Sequence, residues 1–400
     1  MKIAPFELNT RHLRALPAII ARGSMSAAAE SVGLSQPALT QGIAKLERRL
    51  GVALFERRPG GMAATVEGEM LGRRVEAAFA QLARGARGIA RGFAQPELLM
   101  TSTQLRAFLA LADFGGFMRA AEATGLSQPA LHRAVRELEQ VCGVPLVERR
   151  GRGVALTARG HRLARGVRLA GAEIAAGIAE IRGEDHEGGS SVTIGAMPLS
   201  RAAILPRAIA RFTAQYPRVR IDVVEGSWRE LIDPLLDGVI DLTIGALRDH
   251  PPPGLDQLPL VVDRLAVIAR ADHPLIRVPA PTLATLASYP WIVGQTGTPL
   301  RSEWEALFAG RPLPSAPIEC GSVMVVRQVL RETDFLTLLS PDQVELEIET
   351  GILATIGPPL SQSSRTIGIT TREGWRPTAA QARLIELIHV AAEVTIPENQ

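Results

Sequence analysis

The heptapeptide Gly33-Leu34-Ser35-Gln36-Pro37-Ala38-Leu39 occurs a second time, unchanged, as Gly125-Leu126-Ser127-Gln128-Pro129-Ala130-Leu131. The offset of 92 residues holds without a gap well beyond it. Leu13-Arg14-Ala15 matches Leu105-Arg106-Ala107, Ala28-Ala29-Glu30 matches Ala120-Ala121-Glu122, and Leu46-Glu47 matches Leu138-Glu139. Gly51-Val52 matches Gly143-Val144, and Glu56-Arg57-Arg58 matches Glu148-Arg149-Arg150. An ungapped match of this length marks a duplicated folded unit. Whatever residues 8–65 fold into, residues 101–157 are expected to fold into as well.

Each copy reads as three helices and a wing. In the first, Leu13, Leu16 and Ile19 recur at helical spacing and Gly23 ends the run. Ser26 stands at the start of a short alanine-rich helix that stops at Gly33. Ser35 then caps a third helix that tolerates Pro37 in its first turn. Leu39, Ile43, Leu46 and Leu50 are its buried stripe. A helix, a glycine turn and a capped second helix are the helix-turn-helix signature. The outer face of the third helix is left with Gln36, Thr40, Gln41 and Lys45, and in the second copy with Gln128, His132, Arg133 and Arg136. Such hydrogen-bonding and basic side chains suit base edges in the major groove, and they would equally suit a solvated helix face.

Charge separates those alternatives. The net charge is +3, but residues 1–190 carry 26 Lys+Arg against 18 Asp+Glu, and residues 191–400 carry 18 against 23. A basic half that meets a polyanion and an acidic half with another task fit this asymmetry. After each wing runs a seam, Leu71, Val75, Ala78, Leu82, Ala86, Ile89 and Phe93, repeated as Leu163, Val167, Ala170, Ile174, Ile178 and Ile181. Apolar residues every 3.5 positions make helices that pair side by side.

The run from Ala27 to Arg58, and again from Ala120 to Arg150, resembles the DNA-binding domain of LysR-type transcriptional regulators. That resemblance implies a winged helix-turn-helix on DNA, with the linker helices pairing DNA-binding domains. Its DNA-contacting positions fall on Ser35, Gln36, Pro37, Thr40, Gln41, Lys45, Arg57 and Arg58. In the second copy they fall on Ser127, Gln128, Pro129, His132, Arg133, Arg136, Arg149, Arg150 and Arg152. The family ordinarily has one such domain per chain, so two are a departure. The first wing, Arg57-Arg58-Pro59-Gly60-Gly61, also lacks a counterpart of Arg152.

From Val192 short strands alternate with helices, the texture of a mostly parallel sheet covered by helices. Residues 204–226, 238–245, 272–275 and 289–293 resemble the LysR-type effector-binding domain, itself similar to periplasmic binding proteins. The resemblance implies two α/β lobes with an effector between them. By position the effector residues would be Ser200, Arg201, Ser227, Thr296, Thr298 and Ser322, at helix N-termini that suit an anion. Thr298-Pro299-Leu300-Arg301 and the run Arg372 to Pro377 look most like regulators of sugar or aromatic-acid uptake and catabolism.

The expected architecture is therefore multidomain: two all-α winged helix-turn-helix units with long linker helices, then an α/β two-lobed, periplasmic-binding-protein-like effector domain. Its expected boundaries are 8–65 and 66–94 for the first unit and linker helix, 101–157 and 158–183 for the second, and 191–396 for the effector domain. Within the latter, lobe I covers about 191–262 and 364–396, and lobe II about 263–363. No G-x-S-x-G, P-loop, H-E-x-x-H or C-x-x-C occurs and the seven histidines are dispersed, so no enzyme, metal or cofactor is expected. Two cysteines, no apolar leader and no 18-residue apolar run point to a soluble cytoplasmic protein. The expected function is effector-controlled, sequence-specific DNA binding. A constitutive DNA-binding or architectural protein with a vestigial effector domain is the alternative. Expected partners are an operator duplex, a small effector, RNA polymerase and further copies of the chain through the effector domains. The DNA-binding head would itself be paired within one chain.

Overall fold

In the computed structural model, the described residues are 3–58, 61–89, 95–151, 153–183, 191–201, 204–360 and 363–394; the side chains of 199, 201 and 394 are outside the description. The first unit comprises α1 (Thr10–Arg22), α2 (Met25–Ser31), α3 (Gln36–Leu50), the hairpin β1 (Phe55–Arg58) with β2 (Gly61–Ala64), and α4 (Val66–Ala86). The second repeats the series as α5 (Ser102–Phe114), α6 (Phe117–Thr124), α7 (Gln128–Cys142), β3 (Val147–Arg150), β4 (Gly153–Leu156) and α8 (Ala158–Ile181).

The same local devices recur in both. Ser35 Oγ accepts from Ala38 N at 3.4 Å and Ser127 Oγ from Ala130 N at 3.3 Å, each satisfying a free helix N–H. Glu47 Oε1 accepts from Leu54 N (2.8 Å) and Phe55 N (3.2 Å), and Glu139 Oε1 from Leu146 N and Val147 N at the same distances. Each glutamate thus hangs the wing from the third helix. Gly68 and Gly160 lie so close to Leu54 O and Leu146 O that a Cβ would come within 2.1 and 2.0 Å. Only glycine lets the linker helix start there. The cap of the second helix is Ser24, whose Oγ accepts from Ala27 N at 3.4 Å, rather than Ser26.

α4 packs antiparallel on α8 within the chain. Gly85, near the end of α4, meets Gly166 in the first half of α8, whereas Gly177 meets Leu71 and Arg74 at the other end. The seam residues Leu71, Val75, Ala78, Leu82, Ala86 and Ile89 are all buried, as are Leu163, Val167, Ala170, Ile174, Ile178 and Ile181. They merge with the interior of the first unit and with Leu105, Phe108, Leu138 and Leu146 of the second into one core, while Leu111, Ala120, Leu131 and Val135 form a separate cluster in the second unit. The linker helix expected to run to 94 ends at Ala86, because Arg87 turns extended and Gly88 adopts a positive φ of 68°. Phe93, expected on the seam, lies outside the described residues.

The second half builds two five-stranded sheets. In order, its elements are β5 (Ser191–Ala196), α9 (Ile204–Gln215), β6 (Arg220–Glu225), α10 (Trp228–Leu236), β7 (Leu242–Ala246), β8 (Leu255–Asp263), β9 (Ala266–Arg270), α11 (Leu283–Ala287), β10 (Trp291–Val293), α12 (Pro299–Leu307), β11 (Ile318–Glu319), α13 (Val323–Glu332), β12 (Leu336–Leu339), α14 (Glu345–Glu349), β13 (Leu353–Ile356), β14 (Arg365–Arg372) and α15 (Ala379–Val394). The first sheet has the order β6-β5-β7-β14-β8 and the second β11-β10-β12-β9-β13. The chain crosses between Asp263 and Ala266 and returns between Ile356 and Arg365. Both sheets are mixed rather than mostly parallel. β14 returns antiparallel to β7 and β8, and β9 runs antiparallel to β12 and β13.

Candidate nucleic-acid interface and effector domain

Leu39, Ile43, Leu46 and Leu50 bury one face of α3, and Leu131, Val135 and Leu138 one face of α7. The opposite faces are left for a partner. Ser35, Gln36, Pro37, Thr40, Gln41 and Lys45 are exposed, as are Ser127, Gln128, Pro129, Arg133 and Arg136. Wing residues Arg57, Arg58, Arg149 and Arg150 are exposed too, with Arg58 ion-paired to Glu56. An open cleft of about 560 Å³ separates α3 from its wing, with Gln36, Thr40, Arg57 and Arg58 on its walls. His132 differs from its neighbours: it is half-buried and stacks on Phe117 at 3.5 Å. Burial, with Arg136 nearby, holds its imidazole below the usual pKa, so at neutral pH it is an uncharged plane. Arg152 lies outside the described residues.

The head meets the effector domain through a buried charge cluster that the helical pattern conceals, since Arg74 sits on the packed face of α4. Arg74 Nη1 donates to Glu173 Oε2 at 3.0 Å and to the Arg376 carbonyl at 3.0 Å, and its guanidinium also pairs with Glu180. Burial works against the Arg74 charge, but the two carboxylates outweigh it and raise its pKa. Arg376 reaches back to Glu173 at 3.6 Å, and Arg165 pairs with Asp237 at 2.6 Å. A cavity of about 340 Å³ lies along this junction, with Asp241 and Arg372 in its wall. Burial drives the Asp241 pKa up against the pull of Thr193 N, Arg372 and Gln381.

Each described effector candidate follows the C-terminal end of a parallel strand, the edge at which open α/β sheets bind ligands. Ser200 follows β5 and Ser227 follows β6 in the first sheet; Thr296 and Thr298 follow β10 and Ser322 follows β11 in the second. Their hydroxyls differ in availability. Ser200 does not cap α9 as expected. It is fully buried in a short turn and donates to Met197 O (2.9 Å) and Ile244 O (3.1 Å). Ser227 is exposed and bound to Glu230 at 2.8 Å. Thr298 and Ser322 cap α12 and α13, and Thr296 reaches Glu319 Oε1 at 3.3 Å. The structure thus groups Thr296, Thr298 and Ser322 on one lobe around a pair the sequence did not single out, Arg301–Glu319 at 2.7 Å. Arg301 also pairs with Glu305 one turn along α12 at 2.7 Å, whereas its Glu319 partner, 18 residues away, lies outside the reach of helix-local reasoning. The Arg201 side chain is not among those described. Among the described residues no cluster of His, Cys, Asp or Glu could hold a metal, and no helix is long and apolar enough to cross a membrane.

Two winged helix-turn-helix units followed by a two-lobed α/β domain define a DNA-binding regulator with a substrate-binding domain. Comparison with known proteins agrees: residues 10–69 and 102–161 both match the family described as "Bacterial regulatory helix-turn-helix protein, lysR family", and residues 185–392 match the LysR substrate binding domain. The chain belongs to the LysR family of transcriptional regulators. It is 33% identical to the HTH-type transcriptional regulator GalR of Pseudomonas putida, over 95% of this chain and 96% of that one. It is 34% identical to the SDS degradation transcriptional activation protein of a Pseudomonas species, over 68% of this chain and 90% of that one. Among solved structures it resembles ArgP from Mycobacterium tuberculosis (TM-score 0.59, 19% identity, 72% of this chain and 96% of that one). A full-length OxyR variant from Pseudomonas aeruginosa is similar at TM-score 0.58 and 22% identity, over 73% of this chain and 94% of that one. Those likenesses concern the fold. The relatives are named as transcriptional regulators.

Proposed function

We propose that this regulator is a sequence-specific, effector-controlled transcription factor whose DNA-binding unit is duplicated in tandem and paired within one chain. The observation that carries this reading is the antiparallel α4–α8 pair, which binds two exposed recognition helices into one head. A single chain then presents what two separate subunits would otherwise assemble, without the association entropy they must overcome. The near full-length match to one relative, against a match of 68% of this chain but 90% of another, supports a unit that is extra to the shorter relative. The bases would be read by Gln36, Thr40, Gln41 and Lys45 on α3 and by Gln128, His132, Arg133 and Arg136 on α7. The capped starts Ser35-Pro37 and Ser127-Pro129 and the wing arginines Arg57, Arg58, Arg149, Arg150 and Arg152 would hold the phosphates.

The effector is a small sugar or aromatic acid held at the strand ends that carry Ser227, Thr296, Thr298 and Ser322, with Arg201 beside it and the buried Ser200 supporting the turn behind. It acts by binding one arrangement of head and effector domain better than another. The cytoplasm is its place of action, RNA polymerase a partner on the promoter, and effector domains the contact between chains. The two DNA-binding units follow the sequence repeat, at 8–65 and 101–157, each with its linker helix, at 66–86 and 158–183, and the effector domain spans 191–396. The test is footprinting of the chain on its operator with and without candidate acids. An effector-dependent change in the protected region supports the reading; strong binding that no acid alters favours the architectural alternative. Arg133→Ala or Gln41→Ala is expected to weaken specific binding by about 1–3 kcal/mol.

A further inference from the structure

We propose that the head reads DNA in one direction only, its site consisting of two unlike half-sites: one containing guanine under α7 and one containing adenine under α3. The inference rests on the proposed function and adds to it the specificity of each half.

A homodimer with one unit per chain sets like against like and reads a palindrome. Here α4 and α8 hold unit one against unit two, so the two faces presented to DNA are never the same. The third helices are in register at an offset of 92, and their exposed faces differ where base contacts fall. Gln41 stands where the second unit has Arg133, and Ala44 where it has Arg136. Lys45 stands where it has Glu137, a reversal of charge. An arginine fork matches O6 and N7 of guanine, whereas a glutamine amide matches N6 and N7 of adenine.

The units also differ at the centre of the head. Thr10 N donates to Ser102 Oγ at 3.0 Å, and these are equivalent positions of the two units, so the pseudo-twofold axis passes between them. Beside that contact opens a cleft of about 810 Å³ to which α1 and α3 contribute Arg11, His12, Lys45 and Arg49. The equivalent residues of the second unit are Thr103, Gln104, Glu137 and Val141. Lys45 belongs both to this cleft and to the outer face of α3, so a duplex seated on α3 meets a lysine where the second unit has Glu137; Arg49 is paired with Glu7, and the second unit contributes Arg106 to the same cleft. On the far side of the linker pair the symmetry is broken again. Gly85 packs on Gly166, but Gly177, equivalent to Gly85, faces Arg74, equivalent to Gly166. That arginine pairs with Glu173 and Glu180 and reaches the effector domain at the Arg376 carbonyl, a cluster with no counterpart among the described residues at the Gly85–Gly166 contact.

The experiment is selection of sites by the full-length chain from a randomised duplex pool, repeated with Gln41→Arg, Arg133→Gln and the double exchange. Both positions are exposed, so the exchanges leave the core untouched. The expected consensus under each head has two unlike halves about one helical turn apart. Each single exchange changes one half only, with roughly a 5- to 150-fold loss on the original site, and the double exchange swaps between the halves the base read at this one position. Where chains associate, the full operator repeats this directional site. A palindromic consensus under a single head, or one exchange that alters both halves alike, overturns the directional reading while leaving sequence-specific binding intact. Failure to enrich any sequence overturns the proposed function as well.

Discussion

Replacing Gly166 with valine strikes the head at the point where its two linker helices touch. An ideal Cβ at Gly166 falls 2.7 Å from Gly85 Cα and 2.9 Å from Gln81 O; one at Gly85 falls 2.7 Å from Gly166 Cα. The obstructing atoms are backbone, which cannot rotate aside. Carbon atoms sit comfortably at about 3.5–4.0 Å, so the helices must part by about 1 Å, and a gap of that size forfeits up to about half of each dispersion contact. Over-packing of this kind costs about 1–3 kcal/mol, and rigid neighbours place the site at the upper end. Valine recovers a few tenths of a kcal/mol in helix propensity over glycine. The net loss is then about 2–3 kcal/mol, a fall of roughly 4–10 °C in the melting of the head. Far-UV circular dichroism follows that transition, because the head is helical. All four tryptophans, Trp228, Trp291, Trp304 and Trp375, lie in the second half, so their fluorescence monitors the effector domain separately in the same sample. Ala80→Val, on the exposed face of α4, is the control and costs only about 0.5 kcal/mol in propensity. If Gly166→Val melts with the control or above it, the close antiparallel contact does not exist in solution.

Arg74→Met strands Glu173 and Glu180 in a buried site without their cation, at a cost of about 3–5 kcal/mol; Glu173→Gln in the same background recovers part of it, and a double-mutant cycle by denaturation measures how much. Between the lobes, burial together with Asp263 and Glu345, opposed by Arg207, pushes the Asp342 carboxyl up to about 6. A raised carboxylate pKa means that the folded state binds this proton more tightly than the unfolded one. Asp342 therefore costs stability above pH 6, and the cost fades as pH falls from about 6 towards 4. Asp342→Asn is expected to raise the urea midpoint by tryptophan fluorescence at pH 8 and to leave it unchanged near pH 4. Burial and Glu139 push the Cys142 thiol up to about 11, so a disulfide reagent at pH 8 is expected to titrate Cys320 in the native chain and both thiols only after unfolding.

The fold of each DNA-binding unit was legible because its determinants are local. Serine caps, the apolar stripe at Leu39, Ile43, Leu46 and Leu50, and the glycine stops act within a few residues. The 92-residue repeat then doubled every inference. The two-lobed texture of the second half, with its return to the first lobe at 364–396, was legible from alternating strands and helices, although the antiparallel direction of β14 against β7 was not, since strand direction depends on a partner more than 100 residues away. The same limit governs the candidate sites. A polar outer face on α3 and α7 follows from the positions of their leucines, but the burial of Ser200 follows from Ile244, and the pairing of Arg301 from Glu319. Nor does a seam of 3.5-residue spacing name its partner. Leu71–Ile89 would bury as well against another chain as against Leu163–Ile181. What sequence alone determined, then, is which helices form and which face each hides, because those depend on periodicity and caps. What only the tertiary structure decided is that α4 closes on α8 of the same chain, glycine on glycine at 85 and 166, and that Arg74 joins that pair to the effector domain at the Arg376 carbonyl. Contacts between distant segments are set by where the backbone brings them, and no local pattern encodes that distance.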